Sequence, residues 1–345
     1  MKPRKIFNFF CLFYLLSIIP LIPTCPVAAS VEMGPAFHRN PILNQFIFFQ
    51  FLPQRAQLAK SKFNLISSLT HSNIIRLRTT SNFNALSDMA VSHLTLNPKY
   101  NLNKQFEISF NIGVLSYWGG FLDSPVEWYH KTFNFPNGQR GYTKSNKVSY
   151  ILGSFTESIV NRNKATSSLK DSSAMIRYQA IKTDKNSSFK NFTLSLAAGI
   201  EFPTGNQDYG TSNGTIDYGF AAYFEKELFT PNLYIYYLVS LIKLGELKNE
   251  QLTMPIKKLK KQHSLSFEWL PYKSFSLICQ VDYESSPYKT PDNPFLGEAP
   301  ATLVLGINFL KSSRKNSMWQ FIFTEDISHK TTPDFTLQLG VFQGF

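Results

Sequence analysis

From residue 62 onward, apolar residues recur at every second position in run after run. Phe106, Ile108, Phe110, Ile112 and Val114 form one of the strongest runs, with polar or small residues between them. Strand side chains point to opposite faces in turn, so this period predicts strands with one apolar face. Comparable runs lie at 63–69, 86–96, 147–156, 174–183, 190–203, 215–228, 232–243, 263–270, 273–284, 300–310, 317–326 and 335–345. Most are about 9–13 residues long, the length a tilted membrane strand needs. In the last one Phe335, Leu337, Leu339, Val341 and Phe345 share a face. Residues 45–52 are a further candidate, as a strand or a short buried segment.

The links between runs sort into two kinds. Some are tight, as at 229–231 and 271–273; others are long and polar, as at 204–214, 244–262 and 285–298. Counted back from the C-terminus, the two kinds alternate. Bacterial barrels carry short periplasmic turns and long external loops, whereas a soluble sandwich has no reason to sort them. The expected fold is therefore all-β: one antiparallel transmembrane β-barrel over 62–345, of about 12–14 strands. Thirteen runs are an odd count. Either 45–52 is a strand or a weak run is misread, and the choice decides the side on which 117–146 lies.

The exception to the two-residue period is 124–133. Asp123 or Ser124 can cap a helix there, Pro125 suits its first turn, and Asn137-Gly138 ends it. Val126, Tyr129 and Phe133 would share a face, with Trp128 beside it. Such a helix can plug the barrel, anchor at the interface or pack a loop. Asp123, Glu127, His130 and Arg140 form a candidate polar cluster on its other side.

Composition agrees with a barrel. The chain is 17% charged against roughly a quarter in ordinary globular domains, and its 15% aromatic share includes 32 Phe and 16 Tyr. A barrel needs aromatics at both interfaces and polar residues inside. Lys2, Arg4 and Lys5, the apolar 6–22 and the small residues around 26–30 read as a secretory signal peptide over 1–29. Residues 30–61, broken by Pro35, Pro41 and Pro53, read as a periplasmic lead-in or plug. Once the leader has gone, Cys279 is alone and cannot make an intramolecular disulfide. Its place on an apolar strand phase suggests a buried small hydrophobe. The net charge of +12 suits anionic lipid or anionic solutes at the cell surface, and nucleic acid is not expected.

Three stretches carry a family resemblance. Gly-Gly-Phe-Leu-Asp at 119–123, Glu-Trp-Tyr-His at 127–130 and Pro-Asn-Gly-Gln-Arg at 136–140 resemble the hallmark of a bacterial family with a domain of unknown function. Gly34-Pro-Ala-Phe, Arg39-Asn-Pro41 and Phe51-Leu-Pro53 are similar to its N-terminal pattern. The sequence departs from it at 84–88, where relatives tend to carry a Gly-Glu pair. The resemblance implies a Gram-negative outer-membrane protein and supplies no activity. The closing strand resembles those of bacterial outer-membrane barrels, which implies that Phe345 is part of the signal read by the barrel-assembly machinery. Glu201-Phe-Pro-Thr-Gly205 is similar to a tripeptide turn in barrels that pass aromatic or other small apolar solutes, although Pro and Gly are ordinary turn chemistry.

Candidate chemistry is sparse. The six His residues are scattered, and no Gly-x-Ser-x-Gly, phosphate loop or metal spacing appears, so no cofactor or metal is expected. His130 with Asp123, and His263 with Ser264, are the pairs from which a lipid-modifying enzyme could be built. Lys257, Lys258, Lys260 and Lys261 lie in what reads as a long external loop, where they would face lipopolysaccharide phosphates. The leading expectation is a passive channel for small solutes, steered by net positive charge if the solute is anionic. Residues 31–53 or 118–140 would plug it. The alternative is a structural or lipid-interacting barrel with a filled lumen.

Overall fold

The computed structural model describes residues 33–38, 47–79, 84–134, 145–153, 157–183, 191–228, 232–248, 253–272, 274–289, 294–310, 317–327, 333 and 335–345. The leader, 1–29, and Arg140 lie outside these residues. The first strands are β1 (Phe63–Thr79), β2 (Asn84–Asn101), β3 (Phe106–Trp118), β4 (Ser149–Gly153), β5 (Ser158–Arg162) and β6 (Thr166–Leu169). Then come β7 (Ser172–Lys182), β8 (Phe192–Phe202), β9 (Asp217–Glu227), β10 (Leu233–Lys243), β11 (Leu247–Lys248) and β12 (Thr253–Met254). The chain closes with β13 (Leu259–Tyr272), β14 (Phe275–Glu284), β15 (Ala301–Leu310), β16 (Ser317–Asp326) and β17 (Phe335–Gly344). Helix α1 (Asp123–Phe133) and the single turn α2 (Pro294–Gly297) lie in links.

Twelve strands close one antiparallel barrel in the order β1-β2-β3-β7-β8-β9-β10-β13-β14-β15-β16-β17, and β17 returns to β1. At that seam Asn64 faces Gly344 and Asn73 faces Phe335. Beyond the last pair the Phe345 N–H donates to the Phe63 carbonyl at 2.8 Å, and the two rings lie 5.4 Å apart. The odd count is resolved at both doubtful places. Residues 47–52 form no strand. The run at 147–156 contains only β4, which pairs with residues 84–88 of β2 and carries β5. Five residues are too few to span a bilayer, so β4 extends the sheet past the barrel instead. β6 and β7 are one line of chain along β3, broken at Lys170-Asp171.

β14 illustrates the wall. Ser276, Ile278, Gln280, Asp282 and Glu284 face inward and are buried, while Leu277, Cys279, Val281 and Tyr283 face outward and are exposed. Cys279 therefore keeps its apolar phase but is not a buried core residue: in a barrel that phase meets lipid. Phe110, Ile112, Leu305 and Phe321 are likewise exposed on other staves. Exposed aromatics gather near both rims, with Tyr100, Trp269 and Tyr272 at one and Tyr218 and Tyr283 at the other.

Long links at 119–171, 203–216, 244–258 and 285–300 share one end of the barrel. Links at 102–105, 228–232 and 273–274 share the other, with the start of β1 and the C-terminus. Twelve strands thus put 117–134 and 145–146 at the long-loop end; 135–144 lie outside the described residues.

Candidate functional site

The lumen is occupied by the chain's own N-terminal segment. Residues 33–38 and 47–61 lack a period-2 pattern and are interrupted by Pro35 and Pro53, so they cannot join the sheet as staves. Buried backbone nevertheless needs hydrogen-bond partners. Inward side chains of the wall supply them, and amides do most of it because each carries a donor and an acceptor.

The first limb climbs from the turn end. Asn308 donates to the Gly34 carbonyl at 3.0 Å. Gln320 donates to the Pro35 carbonyl at 3.2 Å and accepts from the Phe37 N–H at 3.0 Å. Gln338 donates to the Phe37 carbonyl at 3.1 Å, and its oxygen lies 3.1 Å from His38 Nδ1. The second limb descends from the loop end. The Phe49 N–H donates to Asp217 at 3.0 Å. Gln262 brackets Phe51, accepting from its N–H at 3.1 Å and donating to its carbonyl at 2.7 Å. Lower down, the Gln57 N–H donates to Glu225 at 3.1 Å and the Leu58 N–H to Gln179 at 3.0 Å. Asn101 then holds the Ser61 carbonyl at 2.8 Å, just before β1 begins.

Two wall glycines make room for plug rings. A Cβ on Gly340 would stand 2.4 Å from the Phe37 ring, and one on Gly199 would stand 2.6 Å from the Phe49 ring. Any larger residue forces the ring off its seat.

Five ion pairs lie in the lumen among the described residues. Arg55 of the second limb meets Glu225. Glu107 lies 2.9 Å from Arg177 and 4.0 Å from Lys99. Lys170 meets Glu201 at 2.7 Å and Lys260 meets Glu284 at 2.5 Å, all four fully buried. Above them an apolar cluster closes the loop end, bringing Phe48, Tyr117, Tyr150, Leu247, Tyr288 and Leu296 together. The Phe48 and Tyr288 rings meet edge-on at 6.0 Å, and burial pushes the Tyr288 phenol well above its usual range. At the turn end a cavity of about 80 Å³ remains between the limbs and the wall. Phe37, Met318 and Phe342 line one side, and Arg55, Lys99 and Arg177 the other.

The predicted residues fare differently. Asp123 is buried at the head of α1, accepting from Asn73 Nδ2 and the Asn146 N–H, both at 2.8 Å. Glu127 is exposed, the His130 side chain is outside the described residues with Arg140, and the structure does not bring Asp123 and Glu127 together. α1 does not enter the lumen: Asn73 and Phe335, which it touches, belong to the outward phase of β1 and β17. His263 faces outward, with Nδ1 2.7 Å from the Tyr237 hydroxyl, while Ser264 faces inward, so the alternation separates this pair. Lys257, Lys258 and Lys261 are exposed at the loop end. Lys260 is not: it points inward to Glu284, because it belongs to β13 and not to a loop. Among the described residues no group of three His, Cys, Asp or Glu is placed to hold a metal.

Residues 15–345 match the family described as protein of unknown function DUF3187. The chain belongs to this family. Among solved structures, the fold of this DUF3187 member is similar to that of the COG4313 outer-membrane channel from Pseudomonas putida F1. The TM-score is 0.52 at 12% identity, covering 84% of this chain and 97% of that one. Weaker similarities join it to a NanC porin (TM-score 0.45, 8% identity, 82% of this chain, 100% of that one) and to the P. putida toluene transporter TodX (0.42, 11%, 85%, 81%). At such identities the likeness is one of fold. No curated protein matches the sequence. The protein has the fold of an outer-membrane β-barrel.

Sequence reasoning missed the wall amides Gln262, Asn308, Gln320 and Gln338 as plug ligands. The available signal was their place on the polar phase of four staves, where a water-filled pore has no need of such a concentration of amides.

Proposed function

We propose that this protein is a passive outer-membrane channel for small solutes whose lumen is closed at rest by residues 33–38 and 47–61. The observation that carries this reading is the nature of the clasp. Most of the bonds that hold the plug join backbone groups to neutral amides or, at the Ala56 carbonyl, to the Ser195 hydroxyl, each worth about 0.5–1.5 kcal/mol net. Water entering the lumen replaces such bonds at little cost. The ion pairs Lys170–Glu201, Lys260–Glu284 and Arg177–Glu107 lie within the wall and survive removal of the plug. The cavity at the turn end offers a solute a first seat, with the apolar Phe37 and Phe342 facing Arg177 and Lys99. By the usual sidedness of bacterial barrels, that end is periplasmic.

A second reading is favoured by the apolar cluster over the loop end: a permanently filled, structural barrel. One experiment separates the two. In a Cys279→Ser background, Phe37→Cys with Gly340→Cys gives two thiols that a reducible bis-methanethiosulfonate linker can join across the space the ring now fills. Planar-bilayer conductance is expected to be absent with the linker in place and to appear as intermittent openings after reduction. A barrel that stays silent in both states, and in the unmodified chain, is the structural one.

A further inference from the structure

On four adjacent strand segments the outward apolar run stops at one register row. Leu69 faces Leu94, Leu94 faces Val114 and Val114 faces Leu169. The next outward residues towards the loop end are His71, Ser92, Ser116 and Ser167, again in one row. These polar groups partner one another: His71 Nδ1 lies 2.9 Å from the Ser92 hydroxyl, to which Trp118 Nε1 donates at 3.0 Å. The Ser167 and Ser116 hydroxyls lie 2.8 Å apart.

The segment leading into α1 lies directly over this row, outside the barrel. The Phe121 ring stacks on His71 at 4.9 Å, nearly parallel, with Trp118 at its edge 6.0 Å away. α1 then crosses the outward side of β1 through the Asp123–Asn73 bond and reaches β17, where the Tyr129 ring meets Phe335 at 6.4 Å. Leu122 and Val126 are buried beneath it. Yet Phe121, in the lead-in, is 56% exposed, and Trp128, on the helix itself, 65%. Glu127 and Lys131 are exposed beside them. The helix thus covers the wall with Val126 and turns Trp128 away from it, while Phe121 in the lead-in continues the lipid-facing surface past the last apolar row.

We propose that α1 lies in the outer-leaflet interface, with Phe121 and Trp128 seated between lipid headgroups and acyl chains. A soluble loop has no reason to present a Trp on its free side, whereas an amphipathic helix at a bilayer surface does. Continuity with the lipid-facing wall sets the occupant as lipid. A protein partner would be offered a patch already flanked by acyl chains. Trp128 then works as a depth marker and, with Phe121, holds the rim at the interface through the helix that caps β1.

The test uses the full chain refolded into phosphatidylcholine vesicles. Trp118, Trp269 and Trp319 are changed to Phe, so that Trp128 is the sole tryptophan. Lipid brominated near the ester end of the acyl chain is expected to quench most of its emission. Lipid brominated deep in the chain quenches it less, and acrylamide in the water little. A single-Trp269 variant, whose ring is half exposed on the outward face near the turn end, serves as the lipid-contact control. If the triple variant fails to fold, the quenching lost between the native chain and Trp128→Phe gives the same quantity. Emission at the wavelength of water-exposed indole, untouched by brominated lipid while Trp269 is quenched, overturns the proposal and leaves a protein partner or bare solvent as the occupant.

Discussion

Glu225 is the residue on which the lower half of the plug depends. Its carboxylate takes both the Arg55 guanidinium and the Gln57 N–H, and its side chain is only 5% exposed. Glu225→Ala would leave a mostly buried cation and a backbone donor without their partner. Losing one member of a buried pair costs about 3–5 kcal/mol. That loss belongs to the plug, because β9 keeps its ladders to β8 and β10. Hydrogen exchange should therefore rise at residues 55–58 while the β9 amides stay protected. A β9 that opens together with the plug would show that Glu225 holds the wall instead. In sequence, Glu225 is one more polar residue on an inward phase. The alternation gave its direction, but its partner lies 170 residues away in a segment with no period, and no local pattern encodes such a pairing.

The basic run at 257–261 shows how an element divides residues that look alike in sequence. Read as a loop, its four lysines are equivalent. β13 begins at Leu259, so alternation sends Lys260 inward and leaves Lys257, Lys258 and Lys261 outside. The two groups should respond oppositely to mutation. Changing the three outer lysines to Gln is expected to weaken binding to lipopolysaccharide vesicles several-fold and to leave the unfolding midpoint in urea unchanged. Lys260→Ala would leave Glu284 buried without its cation, so the midpoint should fall by the equivalent of about 3–5 kcal/mol with lipopolysaccharide binding retained. Equal effects from both sets would mean that the strand starts later than Leu259. The staves themselves were legible, because period-2 patterning is local and lipid demands it on every strand. β4 was not separable from them: Tyr150, Ile151 and Leu152 carry the same apolar character in a flap five residues long. Nor was the outward course of α1, which depends on the register of β1 against β17.

At the scale of the whole molecule, the net charge and the lining of the lumen point to solutes of opposite sign. The chain carries +12, which suggests an anionic solute. Among the described residues, the buried inward carboxylates of the wall strands are Glu107, Glu201, Asp217, Glu225, Glu268, Asp282 and Glu284. Against them stand Lys99, Arg177 and Lys260, with Lys170 and Asp171 offsetting each other at the break before β7. Arg55 belongs to the plug and leaves with it. Among the described residues, the lining of an unplugged lumen therefore carries an excess of acid. A narrow path with low-dielectric walls concentrates ions of the opposite sign, and the charges nearest the path decide which. The double variant Glu225→Gln with Gln262→Ala loosens the second limb at two levels while the wall pairs of Glu107, Glu201 and Glu284 remain. In a potassium chloride gradient its open state should reverse at a potential on the potassium side, and raising the salt should shrink that preference as screening shortens the reach of the lumen charges. A reversal on the chloride side would mean that the rim lysines, and not the lumen acids, govern permeation. The first expectation from net charge would then hold after all.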